Sequence, residues 1–305
     1  MTPGVLILTG QTASGKSALA LQLVERFGAE IVGADSRQIY RGMPIGTAAP
    51  SDGDRARVRH HLVEFLDPRE RYSAARFVAD ALAAIDDAHA RGKRAIVAGG
   101  TGFYVRALAG DVALSPAYDA RVRERLAREA RVHPPDVLAA WLHALAPERA
   151  TAIAANDPYR LVRALEIALV ERGTRAPGDG DSSRENLRSR GIAFRKLYLD
   201  VEPDVLERRI AARVDVMLAR GFVEEAARVG ADVVAADAVG YREALAFLAG
   251  FSTRDELRAH LIRNTRRYAK RQATWFRTEP GLVRVPAADA LSLAAAEAGA
   301  LPGWA

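Results

Sequence analysis

The sequence of 305 residues contains no cysteine. Disulfides, thiolate metal ligands and a cysteine nucleophile are therefore excluded together. Long apolar runs are missing too: none approaches the roughly 20 residues that span a bilayer. The opening segment has an apolar run of only Val5 to Leu8 and no basic region before it. It does not read as a secretion signal, and a soluble, cytoplasmic protein is expected. Excess charge of one sign is small. Lys and Arg number 44 against 38 Asp and Glu, a net +6 that by itself names no partner. What is present is apolar: 49% of residues, enough for a packed core and too much for a disordered chain. The length fits one large domain or two modest ones.

Short apolar runs alternate with helical patterns at the start. Val5–Thr9, Glu30–Asp35 and Arg94–Gly100 read as buried strands. Lys16–Phe27, Ala74–Arg91 and Thr101–Ala109 read as helices, the first ended by Gly28 and the second by Gly92. From Tyr118 to Arg172 only helical patterns occur, broken at His133-Pro134-Pro135 and at Asn156-Asp157-Pro158. Gly173–Gly191 is a polar, Gly-rich loop. Phe194–Asp200 returns to strand, and Val283 marks a last edge strand. Between them fall helices over Pro203–Gly221, Val223–Val229, Tyr241–Ala249 and Asp255–Phe276. The fold class is α/β: a phosphate-loop parallel sheet flanked by helices, with an all-helical insertion. Residues 1–112 and 194–305 form the core with its C-terminal helices, and 113–193 form the insertion.

Gly10-Gln11-Thr12-Ala13-Ser14-Gly15-Lys16-Ser17 fits the phosphate-loop pattern between a strand and a helix. Glycines let successive amides turn toward phosphate oxygens, and the helix N-terminus adds partial positive charge. Lys16 supplies a full charge and Ser17 can hold Mg²⁺. The motif implies a di- or triphosphate ligand, ATP among them, without choosing. Again an absence is informative. The third strand ends Ala98-Gly99-Gly100-Thr101-Gly102, without the acid that nucleotide hydrolysis uses. Among the first three strands the acid at a strand end is Asp35, placed for a crevice at the carboxyl ends of the strands. It suits either a metal organiser or a proton acceptor.

Residues 257–278 hold seven Lys and Arg and no acid. On a helix, Arg263, Arg266, Arg267, Lys270 and Arg271 share one arc; Leu261, Tyr268, Gln272, Trp275 and Phe276 share the other. This basic amphipathic helix suits an RNA backbone. Arg160 and Arg163 read more weakly, as do Arg121, Arg123, Arg125 and Arg128, which are interleaved with Glu124 and Glu129. His60-His61 on an extended chain point opposite ways and do not share a metal. Trp141, Trp275 and Trp304 read as packing residues.

The phosphate loop, Asp35–Pro50, His60–Pro68, Tyr72–Phe77, Val97–Leu108, Asn156–Ile167, Arg213–Glu225, Val239–Glu243 and Arg266–Arg277 together resemble the bacterial tRNA dimethylallyltransferase family, in consistent order. Gln11 departs from the family's usual Pro, and Ala155 from its common His. The resemblance implies transfer of a dimethylallyl group from its diphosphate to N6 of the adenosine at tRNA position 37, beside the anticodon, with Mg²⁺ as cofactor. By the same resemblance Asp35 is the general base, and Thr101 and Arg213 contact the diphosphate or transition state. Arg209, one turn away, is the alternative to Arg213. The partners implied are dimethylallyl diphosphate, bound by Gly10 to Ser17, and the tRNA anticodon stem-loop. The tRNA would be met by Asp35, Ser36, Arg37, Gln38, Thr101, Arg123, Tyr159, Arg160, Leu161, Val162, Arg163, Arg266, Arg267 and Lys270. Gln38 carries an amide able to pair bidentately with an adenine edge, and the target base is expected to flip out of its stack. No membrane is expected and a monomer is. A small-molecule kinase, an enzyme prenylating free adenine nucleotides, and a non-catalytic RNA-binding switch are the rival readings.

Overall fold

A computed structural model describes residues 2–114, 120–173 and 185–304. The strands are β1 (Val5–Gly10), β2 (Ala29–Gly33), β3 (His60–His61), β4 (Arg94–Ala98), β5 (Phe194–Asp200) and β6 (Leu282–Pro286). They form one six-stranded sheet in the order β3-β2-β4-β1-β5-β6, and every pairing is parallel. The apolar runs follow from this position, because parallel strands are covered by helices on both faces. All of β1 is buried.

The helices are α1 (Lys16–Phe27), α2 (Pro44–Thr47), α3 (Asp52–Arg57), α4 (Ala74–Ala90), α5 (Gly102–Ala109), α6 (Ala120–Val132), α7 (Pro135–Leu145), α8 (Pro147–Ala150), α9 (Pro158–Gly173), α10 (Pro203–Ala219), α11 (Phe222–Val229), α12 (Tyr241–Leu248), α13 (Arg254–Phe276) and α14 (Ala290–Gly299). The α/β class and the parallel sheet agree with the sequence reading. The short β3, α2 and α3, and the alanine-rich α14, escaped it. Burial of Ala290, Ala294, Ala295 and Ala298 explains α14: its face is alanine, which carries little hydrophobic contrast.

Register sets up the site. Ala98 at the end of β4 pairs with both Leu8 of β1 and Gly33 of β2. Gly10, Asp35 and Thr101 therefore leave the sheet at the same end. β2 stops at Gly33 rather than Asp35, which releases Ala34 and Asp35 into a turn. The chain winds to β2 and β3 on one side of β1 and crosses to β5 and β6 on the other. The switch point of such a sheet opens a crevice at the carboxyl ends of its strands. The core beneath includes Leu6, Leu8, Leu23, Ile96 and Leu197, closed by Trp304, whose Nε1 donates to the Gly4 carbonyl at 2.8 Å.

The chain divides into two compact units, 1–112 with 185–305, and 113–184. Residues 185–193, expected with the insertion, pack instead on the sheet unit. Leu187 is fully buried and its amide donates to the Leu108 carbonyl at 2.9 Å. Within the loop expected over Gly173–Gly191, 174–184 lie outside the described residues. In the helical unit, Leu126, Leu138, Leu142, Leu161, Ala164 and Leu165 form the core. No helix among the described residues is long and apolar enough to cross a membrane.

Candidate active site

The phosphate loop runs from the end of β1 into α1. Gly15 caps the helix with φ +98, a left-handed conformation that favours glycine. The amides of the first α1 turn have no intrahelical partner and face the crevice. In the loop before that turn, Thr12 N–H donates to Gln272 Oε1 at 2.8 Å and Ser14 N–H to the Gln11 carbonyl at 3.1 Å. Gln272 is buried on α13 and donates its Nε2 to the Gly100 carbonyl at 3.0 Å. Gln11 donates to the Ala269 carbonyl at 3.1 Å, a tie to α13 that a proline could not make. Arg209 Nη1 donates to the Ser14 carbonyl at 2.7 Å. Three side chains thus fix the loop, and two of them lie far outside its motif. Ser14 Oγ is buried without a partner among the described residues.

Lys16 donates to the Gln11 carbonyl at 3.2 Å. Burial pulls its pKa down to about 8; Asp35 opposes the shift and Arg213 adds to it. Arg213 is itself lowered by burial, with Asp35 again opposing. Asp35 thus stands in the field of both cations. Its Oδ1 accepts from the amides of Arg37 at 2.9 Å and Gln38 at 3.4 Å, an aspartate turn. Its Oδ2 has no hydrogen-bond partner among the described residues.

A cavity of about 210 Å³ joins Asp35 and Arg213 with Thr12, Arg37, Met217 and Tyr268. The alternatives on α10 are not exclusive. Arg213 faces this cavity, while Arg209, one turn away, holds the phosphate loop. Thr101 secures the aspartate turn: its Oγ1 accepts from Ser36 N at 3.0 Å and donates to Ser36 Oγ at 3.3 Å. Arg37 is bound bidentately by Asp237, one contact being 3.1 Å. Gln38 differs from expectation. Its Nε2 donates to the carbonyls of Thr47 at 3.2 Å and Ala48 at 2.9 Å. That amide nitrogen is committed to the chain, so bidentate pairing with an adenine edge is not what this geometry prepares. Gln38 instead walls a second, smaller cavity of about 130 Å³ beside Ser17, Leu21 and Val63.

The turn opposite Asp35 is held by a buried carboxylate. Glu225 accepts from Ile45 N and Gly46 N at 2.8 Å and from Tyr241 Oη at 2.7 Å. A Cβ on Gly46 would stand 2.5 Å from Phe222 and 2.6 Å from Tyr241 Oη. Sequence reasoning missed Glu225, Asp237 and the anchoring role of Gln272. Only Gln272 left a signal, as a polar residue on the apolar arc of a helix.

On α13, Arg258 pairs with Asp215 at 2.5 Å and Arg266 with Glu207, both acids on α10. Acids missing within the helix are thus partly supplied by its neighbour. Arg263, Arg267, Lys270 and Arg271 have no carboxylate partner among the described residues. These residues and the apolar Leu206, Ile210 and Ile262 border the α10–α13 groove, except Arg271, which borders the Asp35 cavity.

In the helical unit, Tyr159 is exposed and so is Arg160, which pairs with Asp157 at 3.4 Å. Leu161 differs from the other expected RNA contacts: at 1% exposure its side chain belongs to the core of the helical unit. Arg163 and Arg123 both face the buried Glu166, at 2.9 and 3.8 Å. Val162 is half-buried against the same core. His61 Nε2 meets Glu30 at 2.7 Å and His60 Nδ1 meets the Val58 carbonyl at 2.8 Å. The two histidines thus bond to different partners. Among the described residues no cluster of three His, Cys, Asp or Glu is placed to hold a metal.

A phosphate loop at the switch point of a parallel sheet, with a carboxylate opposite and no acid after β4, defines a phosphate-loop α/β transferase site. Residues 38–279 match the model of the family described as IPP transferase. The chain belongs to this IPP transferase family. It is 44% identical over 283 residues to a tRNA dimethylallyltransferase of Geobacter sulfurreducens, covering 91% of this chain and 90% of the relative. Identity to the tRNA dimethylallyltransferase of an Anaeromyxobacter species is 45% over 295 residues, covering 95% and 97%. Among solved structures, the tRNA isopentenylpyrophosphate transferase of Bacillus halodurans is similar, with a TM-score of 0.69 and 32% identity over 97% of this chain and 96% of that one. A eukaryotic dimethylallyltransferase acting on tRNA gives a TM-score of 0.73 at 26% identity, covering 93% and 73%.

Proposed function

We propose that the chain transfers the dimethylallyl group of dimethylallyl diphosphate to N6 of the adenosine at tRNA position 37 and releases diphosphate. The observation that carries this reading is Asp35, with Oδ2 unbonded among the described residues, lining the same cavity as Arg213 beside a phosphate loop whose neighbour β4 ends without an acid. Phosphoryl transfer to water would need that acid. Alkyl transfer needs only a site for the leaving group and an acceptor for one proton.

The C–O bond breaks and its electron pair leaves on diphosphate. Lys16, Arg213 and the amides of the first α1 turn meet the charge that grows there, and so act most strongly in the transition state. The N6 lone pair forms the new C–N bond. The proton that N6 then carries passes to Asp35 Oδ2. The Arg37 and Gln38 amides hold that carboxylate in place, and Thr101 holds the turn through Ser36. Mg²⁺ would be held by the Ser17 hydroxyl in the first turn of α1, with its remaining oxygens drawn from substrate and water. When bound it neutralises charge on the diphosphate.

The RNA-binding reading covers Ser36, Arg37, Arg267 and Lys270 on the sheet unit and Tyr159 and Arg160 on the helical unit. On this reading the protein acts in the cytoplasm as a monomer. Incubation with dimethylallyl diphosphate, Mg²⁺ and unmodified tRNA, followed by mass analysis of nucleosides, should give prenylated adenosine and free diphosphate. Transfer of phosphate from ATP instead would establish a kinase, and prenylation of AMP without tRNA would establish a free-nucleotide enzyme.

A further inference from the structure

Tyr268 has no part in the steps above, yet it stands in the same cavity as Asp35, Arg213, Arg37 and Arg271. It projects from α13, one turn before Gln272, which fixes that helix to the phosphate loop. Its phenolic O–H has no hydrogen-bond partner among the described residues. It is the one aromatic side chain among the described residues that line the cavity, and its ring already meets one cation there, the Arg271 guanidinium 5.6 Å from the ring centroid.

The charge balance of the cavity poses a problem that Tyr268 answers. As the C–O bond breaks, positive charge gathers on the allylic carbons. The surrounding cations suit the departing diphosphate but repel that charge. Asp35 must remain available for the N6 proton, and Asp237 is engaged by Arg37. An aromatic face attracts a cation through its quadrupole, most strongly where water is excluded, and it consumes no proton acceptor.

We propose that Tyr268 is a further catalytic residue, its ring lying against the dimethylallyl carbons and stabilising the positive charge that develops on them during transfer. This rests on the prenyl-transfer reading above. Atoms and electrons balance as in that scheme: the ring forms no bond and takes no proton.

The test is single-turnover transfer to tRNA with Tyr268→Phe, Tyr268→Leu, and phenylalanines of increasing ring fluorination at this position. Tyr268→Phe should stay within about threefold of the wild-type rate, while Tyr268→Leu loses about 30-fold. The KM for each substrate should barely move. The fluorinated rings, close in size to phenylalanine, should fall stepwise in between, and they decide the matter if the leucine variant does not fold. A phenylalanine variant as slow as the leucine variant would overturn the proposal in favour of a role for the hydroxyl. A loss confined to KM for tRNA would assign the ring to base stacking, and a flat fluorination series would also overturn the proposal. A wild-type enzyme that makes no prenylated adenosine would overturn the functional reading, and this role with it.

Discussion

Gln272 and Thr12 lie 260 positions apart, yet the amide of one accepts the backbone N–H of the other at 2.8 Å. The same side chain reaches Gly100 at 3.0 Å, so a single residue ties α13 to the phosphate loop and to the turn after β4. Replacing Gln272 with leucine keeps the volume and leaves a buried donor and a buried acceptor unpaired. The expected cost is about 1–3 kcal/mol for each. The melting temperature should fall, and the KM for dimethylallyl diphosphate should rise as the loop loosens. Gln272→Glu keeps an acceptor for Thr12 and should recover part of the KM. An unchanged KM in the leucine variant would show that the loop is rigid without this bond.

Asp35→Asn retains an oxygen for the Arg37 and Gln38 amides, so the turn should persist. Transfer should fall about 10²- to 10⁴-fold, while tRNA affinity by filter binding stays near the wild-type value. Equal losses of rate and affinity would assign Asp35 to RNA positioning.

Lys16 gives a pH dependence with a definite sign. Burial lowers its pKa to about 8, so it is charged below that pH and neutral above it. Bound diphosphate favours the charged form. Affinity for dimethylallyl diphosphate should be flat below pH 8 and fall toward tenfold per unit above it. Calorimetry in buffers of different ionisation enthalpy should show proton uptake on binding only in the alkaline range. Proton release there would contradict the assignment.

Along α13, Arg266 is engaged by Glu207 whereas Arg267 and Lys270 have no such partner. Replacing Arg267 or Lys270 with Gln should each lower the slope of log affinity for tRNA against log salt by about 1. Arg266→Gln should lower it by less. Equal slopes in all three variants and the wild type would move the RNA surface elsewhere.

Gly46→Ala forces a Cβ against Phe222 and Tyr241, where neither ring is at a flexible end. A loss of about 1–3 kcal/mol in chemical denaturation is expected. Wild-type stability would show that α2 can shift away from α11.

Local order was legible in the sequence because it rests on local signals. The phosphate loop is a contiguous pattern, the strands are contiguous apolar runs, and Asp35 follows one of them directly. What stayed hidden is what one segment does for another. Glu225 sits in a helix with acids around it, and nothing nearby reveals that it receives Ile45, Gly46 and Tyr241. Asp237 reads as a loop acid until Arg37 is seen against it. Gln38 has the chemistry to read a base, and only the fold shows its amide nitrogen turned to Thr47 and Ala48.

The long reach from α13 to the phosphate loop also orders events during synthesis. β1 takes its place between β4 and β5, and the loop beyond it is fixed by Arg209 and by α13. A nascent chain that has emerged only through residue 112 has the complete phosphate-loop motif but none of these anchors. The anchors that fix the phosphate loop are therefore complete only after α13 has been synthesised.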